Sequence, residues 1–174
     1  MKILILRLSS LGDIVLTQPV CAFLRKRYPD AQIDFIVKSQ YLELVSLMGC
    51  ELNPIAYDKR FKAHLQLRKI KYDLVIDLHG KMSSYLLRFA AMGRVSVVYD
   101  KQRSKRKKIV SGNKSLMISS AVDLYSSALQ RAFKEDVILP LPKLHGDVGL
   151  VTIDLPENIK KVVLFPGATH FTKR

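Results

Sequence analysis

Arg7 to Pro19 reads Arg-Leu-Ser-Ser-Leu-Gly-Asp-Ile-Val-Leu-Thr-Gln-Pro, so two serines, a glycine and one carboxylate follow a short apolar run. The chemistry available to such a set is proton transfer. Asp13 is a base for any hydroxyl brought within hydrogen-bond reach. Ser9 and Ser10 either hold a polar substrate or lock the loop through local hydrogen bonds. The segment is neither a G-x-G-x-x-G dinucleotide fingerprint nor a P-loop, because the second glycine and the Lys-Ser/Thr pair are missing. Asp13 has a structural reading of equal weight, as the cap of the helix that follows.

The second stretch with chemical potential is Tyr72-Asp-Leu-Val-Ile-Asp-Leu-His-Gly80. Asp77 reads as structural. His79 reads first as a residue fixing the Gly80 turn and second as a substrate contact. Cys21 and Cys50 form no C-x-x-C pair and have no zinc-ligand spacing, so both are expected to be free, buried thiols. No Asp-x-Asp sequence points to a catalytic metal, and no metal is expected.

The elements that must position these residues alternate. Residues 2–8, Ile33 to Val37, 52–56, Asp73 to Leu78 and Val95 to Tyr99 read as strands. A helical stretch around Pro19, Tyr41 to Met48, 60–70, Ser83 to Met92 and 119–133 read as helices, with Gly49 and Gly93 as stops. The fold class is therefore α/β, a Rossmann-like parallel sheet with helices on both faces. Residues 100–118 read as a long basic loop. Pro140, Pro142, Gly146, Gly149 and Pro156 mark 134–160 as a linker with one short strand at 148–152. Lys161 to Phe165 reads as a strand entering a glycine turn, the start of a second domain; the other reading is that it closes the first sheet. The division expected is 1–158 and 159–174.

With 48% hydrophobic residues, the 174-residue chain is no disordered segment. Its 29 Lys and Arg against 15 Asp and Glu give +14, which predicts an anionic partner. The charge is clustered. Lys101, Arg103, Lys105, Arg106, Lys107, Lys108 and Lys114 form one group, and Lys59, Arg60, Lys62, Arg68, Lys69 and Lys71 another. Nucleic acid is not expected: there is no Trp, only 8% of residues are aromatic, and no base-stacking pattern is interleaved with the charges. Arg7 interrupts the N-terminal apolar run and no small-residue cleavage site follows. A cytoplasmic, soluble protein is expected, with peripheral contact on a membrane.

Leu8-Ser-Ser-Leu-Gly-Asp-Ile-Val-Leu-Thr-Gln-Pro19 resembles the N-terminal motif of glycosyltransferase family 9, the heptosyltransferases of lipopolysaccharide core synthesis. The Asp-Leu-His-Gly turn at 77–80 is similar to a second family segment. Phe165-Pro-Gly-Ala-Thr-His-Phe-Thr-Lys-Arg174 is similar to the segment opening the family's donor-binding domain. The resemblance runs through the whole chain, which equals about half of a typical member. It implies the N-terminal domain of a GT-B glycosyltransferase, transferring a heptose or related sugar from an ADP-sugar co-substrate to the inner core of lipopolysaccharide, without a further cofactor.

The resemblance makes Asp13 the general base and places Gly167, Thr169, Thr172 and Lys173 at the donor diphosphate, with His170 a loop residue nearby. The acceptor, an anionic glycolipid, would meet Ser9, Ser10, Gly12 and His79. Lys105, Arg106, Lys107 and Lys108 would face its carboxylates and phosphates or the anionic cytosolic face of the inner membrane. The sugar nucleotide would be held mainly by a domain the chain does not contain, so the chain alone is expected to be inactive. The alternative is an acceptor- or polyanion-binding domain without catalysis.

Overall fold

The computed structural model describes residues 1–58, 61–112 and 115–145. Five parallel strands form one sheet: β1 (Lys2–Leu6), β2 (Gln32–Val37), β3 (Asn53–Ala56), β4 (Leu74–Asp77) and β5 (Val95–Val98), in the order β3-β2-β1-β4-β5. β1 is central. Ile3, Leu4, Ile5 and Leu6 are all fully buried, as expected of a strand covered on both faces, whose sequence is a continuous apolar run.

Register sorts the two faces. Ile3 lies beside Ile33 and Leu74, and Ile5 beside Phe35 and Ile76. These residues share one core with α1 (Leu11–Val15), α2 (Gln18–Arg27), α3 (Leu42–Ser46) and α7 (Ala121–Phe133), through Ile14, Val20, Leu24, Val45 and Leu129. Leu4, Leu6, Ile36 and Val75 point the other way. They pack on Leu67 of α4 (Phe61–Lys69) and on Leu87 and Ala91 of α5 (Met82–Ala91). The result is the three-layer Rossmann-like arrangement that the strand–helix alternation predicts. Its winding reverses between β1 and β4, which opens a crevice at their carboxyl ends.

Three local expectations are corrected. The basic segment after β5 contains a helix, α6 (Arg103–Val110), none of whose residues is buried. It has no apolar periodicity, so only the helix propensity of Lys and Arg marks it. The stretch around Pro19 is two helices: α1 ends at Val15 with Leu16 as its C-cap, and α2 follows the N-cap position Thr17, whose hydroxyl donates back to the Ile14 carbonyl at 2.6 Å. Finally, α5 is ended by Met92 in the left-handed conformation (φ 46°), not by Gly93. Gly93 serves close packing instead, since a Cβ there would lie 2.4 Å from Val75 Cγ2.

Cys21 and Cys50 are free and buried. Asp34 is a fully buried carboxylate that accepts hydrogen bonds from Tyr72 Oη (2.6 Å), Asn53 Nδ2 (2.9 Å) and Gln32 Nε2 (3.0 Å), which ties β2 and β3 to the entry of β4. Among the described residues no helix is long and apolar enough to cross a membrane. The expected strands at 148–152 and 161–165, and the domain boundary beyond 158, lie outside the described residues.

Candidate active site

The crevice between β1 and β4 is built from the loops that leave the two strands. Where β1 ends, Arg7 is buried, and its guanidinium reaches across the crevice mouth. Nη1 donates to the Leu78 carbonyl after β4, and Nη2 forms an ion pair with Asp13 Oδ2. The guanidinium carbon lies 5.7 Å from the centroid of the Tyr125 ring on α7. One buried cation thus ties together the β1 loop, the β4 loop and α7.

Asp13 sits in the first turn of α1, three residues after the N-cap Ser10. Its Oδ2 accepts the Ser10 backbone N–H at 3.3 Å and the Ser10 hydroxyl at 3.0 Å. All three partners of the carboxylate, Arg7 included, therefore fall on Oδ2. Among the described residues Oδ1 has none, and the side chain is 40% exposed. Capping and chemistry do not compete at this residue, because one oxygen supports the turn and the other has no partner among the described residues. Burial raises the Asp13 pKa, but the Arg7 charge and the hydrogen bonds from Ser10 and Arg7 outweigh it and hold the carboxyl below its ordinary value.

On the β4 side, Asp77 is fully occupied. Its Oδ1 accepts the backbone N–H groups of His79 (2.9 Å) and Gly80 (2.8 Å), and its Oδ2 accepts the Ser84 hydroxyl (2.9 Å). That is a turn-forming carboxylate, as expected of it. Gly80 has φ +57°, and a Cβ there would meet Lys101 Cε at 2.7 Å. The turn presents His79, which is buried and whose Nδ1 has no hydrogen-bond partner among the described residues. Burial, then the charges of Arg7, Lys81 and Lys101, push its pKa down to about 4, so the ring is neutral at pH 7.

These groups line a cleft of about 300 Å³. Ser9, Ser10, Asp13 and His79 face it from the two strand ends. Lys81, Lys101 and Arg106 add charge at the rim, and Tyr99 and Tyr125 form an aromatic wall with ring centroids 5.1 Å apart. With Arg7, four cations surround one carboxylate, an arrangement suited to an anionic, hydroxyl-bearing ligand.

Of the residues singled out from sequence, Ser9, Ser10, Asp13, His79 and Arg106 are brought together here. Gly12 does not line the cleft, and a Cβ on it would enter open space. Lys105, Lys107 and Lys108 are exposed on α6 and do not line it either. Gly167, Thr169, His170, Thr172 and Lys173 lie outside the described residues, as do Lys59, Arg60 and Lys114. Arg7, Lys81, Tyr99 and Tyr125 were not assigned to the site from sequence. For Arg7 a signal existed, a charge directly after a buried apolar run. Lys81 stood next to the turn, but the two tyrosines are delivered by topology alone. Among the described residues no group of three or more His, Cys, Asp or Glu side chains is placed to hold a metal ion.

Fold and crevice define a Rossmann-like α/β domain with a ligand crevice at the sheet's switch point. No family model matches the chain. Over 99% of its length it is 26% identical to lipopolysaccharide heptosyltransferase 1 of Pseudomonas aeruginosa, covering 54% of that protein. The structure of E. coli ADP-heptose LPS heptosyltransferase II superposes with a TM-score of 0.60 at 23% identity, over 86% of this chain and 48% of that one. A glycosyl transferase family 9 structure from Veillonella parvula superposes with a TM-score of 0.58 at 20% identity, over 83% and 45%. The chain is thus similar in sequence to lipopolysaccharide heptosyltransferases, and it spans about half the length of the curated relatives it matches.

Proposed function

We propose that the chain is the acceptor-binding domain of a glycosyltransferase that moves a heptose, or a related sugar, from an ADP-sugar to the anionic inner core of lipopolysaccharide, with Asp13 as general base. The observation that carries this reading is the asymmetric Asp13 carboxylate, tied down through Oδ2 and open at Oδ1 in a cationic cleft at the sheet's switch point.

The chemistry follows from that asymmetry. An acceptor hydroxyl seated against Oδ1 attacks the anomeric carbon of the donor. As the new C–O bond forms, the hydroxyl proton passes to Oδ1, and the bond to the ADP oxygen breaks with inversion at carbon. A carboxylate with a lowered pKa is a weak base, but it is fully ionised at neutral pH, and the hydroxyl acidifies as bond formation proceeds. Arg7 keeps Asp13 in one orientation. Lys81, Lys101 and Arg106 meet carboxylates or phosphates of the acceptor, and neutral His79 serves its hydroxyls. Charge building on the departing diphosphate falls to Lys173, with Gly167, Thr169 and Thr172 as its neighbours in sequence. The chain alone is therefore expected to bind acceptor without turnover.

The test is equilibrium binding of the chain to lipid A bearing Kdo sugars, against a short RNA, at physiological salt. Saturable binding to the glycolipid that is lost in cleft variants supports the reading. Equal weak binding to both polyanions contradicts it.

A further inference from the structure

Helix α5 is apolar on both of its sides. Leu87, Ala90 and Ala91 pack inward, while Met82, Tyr85, Leu86, Phe89 and Met92 recur at helical spacing on the outer side. Met82 is 75% exposed, Phe89 76% and Met92 71%. Leu65 on α4 extends the stripe, and the two helices enclose an apolar groove of about 450 Å³ with Arg68 at its rim. Single exposed apolar side chains are ordinary on a soluble surface, but a contiguous stripe of this kind marks an interaction site.

Charge selects the occupant. Neither α4 (FKAHLQLRK) nor α5 (MSSYLLRFAA) contains an acidic residue. Arg88 stands over the Tyr85 ring at 5.4 Å and lines a second groove with Phe89 and Met92. Large apolar side chains, aromatic rings and flanking guanidinium groups without carboxylates complement an anionic lipid interface.

Position agrees with charge. Lys81, the residue before the stripe, lines the Asp13 cleft, and Met82 and Leu86 share a further groove with Ser9 and His79. On the opposite face of the sheet, the segment after α7 packs onto α2 and α3, where the Lys143 N–H donates to Gln18 Oε1 (2.9 Å) and the His145 N–H to the Leu47 carbonyl (2.7 Å).

We propose that the α4–α5 face is the surface by which this domain sits on an anionic lipid bilayer, with the α5 stripe in the headgroup–acyl boundary and Arg68 and Arg88 at the level of the lipid phosphates. The exposed α6 helix, the sequence's own candidate for this contact, carries charge without such a stripe and is not the anchor.

The experiment is co-sedimentation of the chain with phosphatidylcholine vesicles that do or do not contain phosphatidylglycerol. Both lack acceptor sugar, so the outcome is independent of the cleft and of Asp13. Binding is expected only with the anionic lipid, and Phe89→Ser with Met92→Ser should weaken it at least about tenfold, since both side chains are exposed and their loss spares the core. The chain has no Trp, so Phe89→Trp supplies a single indole whose emission should shift to the blue on anionic vesicles. Three results would each overturn the proposal: no vesicle binding by the unaltered chain, unchanged binding of the double variant with loss on neutralising Lys105, Lys107 and Lys108, or a dimer in solution that the double variant converts to monomer.

Discussion

Arg7 meets Asp13 through a single carboxylate oxygen, and Ser10 bonds the same one, so Oδ1 is left without a partner among the described residues. A helix cap needs only the bonds from Ser10. The buried guanidinium, also tied to Leu78 and stacked near Tyr125, adds rigidity and charge that capping does not require.

Arg7→Gln is expected to raise the Asp13 pKa toward the ordinary aspartate value, which a carbon-detected carboxyl titration reads directly. It should also cost about 1–3 kcal/mol in a denaturant melt, because it breaks an ion pair buried only on the Arg7 side and a bond to the buried Leu78 carbonyl. The sign of the pH effect is set by the depressed pKa. The pair's stabilisation is present above the unfolded-state aspartate pKa and is lost as pH falls through the folded value, so the acid limb of the stability curve should flatten in the variant.

His79 is expected to remain neutral down to about pH 4. Its folded pKa lies below the ordinary 6.5, so the unfolded chain binds the extra proton first. Stability should hold above pH 6.5 and fall between 6.5 and 4, with a slope approaching about 1.4 kcal/mol per pH unit. Imidazole NMR gives the pKa, and melts of the parent and His79→Gln across this range give the slope. The variant should lose that component.

The buried Asp34 network carries stability rather than chemistry. Asp34→Ala leaves Tyr72 Oη and two side-chain amides without their shared acceptor, and should cost about 2–4 kcal/mol. Tyr72→Phe leaves two donors on the carboxylate and should cost about 1 kcal/mol. Neither should change acceptor affinity; chemical denaturation and glycolipid titration together check both halves.

Cations that line the cleft should matter more than those that do not. Lys101→Ala and Arg106→Ala are each expected to weaken binding to Kdo-bearing lipid A by about tenfold, whereas Lys105→Ala, Lys107→Ala and Lys108→Ala should stay within about twofold. Calorimetric titration at fixed salt separates the two sets.

What was legible in the sequence follows from physical regularity. The Ile3–Leu6 run, buried on both faces, announces a central parallel strand, and the strand–helix alternation announces the layers. The polar loop from Ser9 to Asp13 is visible because chemistry-bearing types stand at a strand end. α6 was hidden because a helix that buries nothing has no apolar period. The split before Thr17 was hidden because its hydroxyl bonds back to the Ile14 carbonyl and caps nothing, so the residue looks like any helical threonine. Tyr99 and Tyr125 join the cleft through β5 and α7, and nothing local in a single sequence marks that convergence, whereas Lys101 was already visible as part of the basic cluster.

The central claim concerns Oδ1 of Asp13. Asp13→Asn preserves size and the ability to accept from Ser10 while removing basicity. The decisive measurement is the rate of ADP-heptose-dependent transfer to Kdo-bearing lipid A by a two-domain protein joining this chain to a donor-binding half, with and without the substitution. A rate loss of about 10²- to 10⁴-fold, with acceptor affinity nearly unchanged and a stability loss no larger than that of Arg7→Gln, is the predicted result. A variant that transfers sugar at close to the parent rate would contradict it and leave Asp13 a residue of the turn.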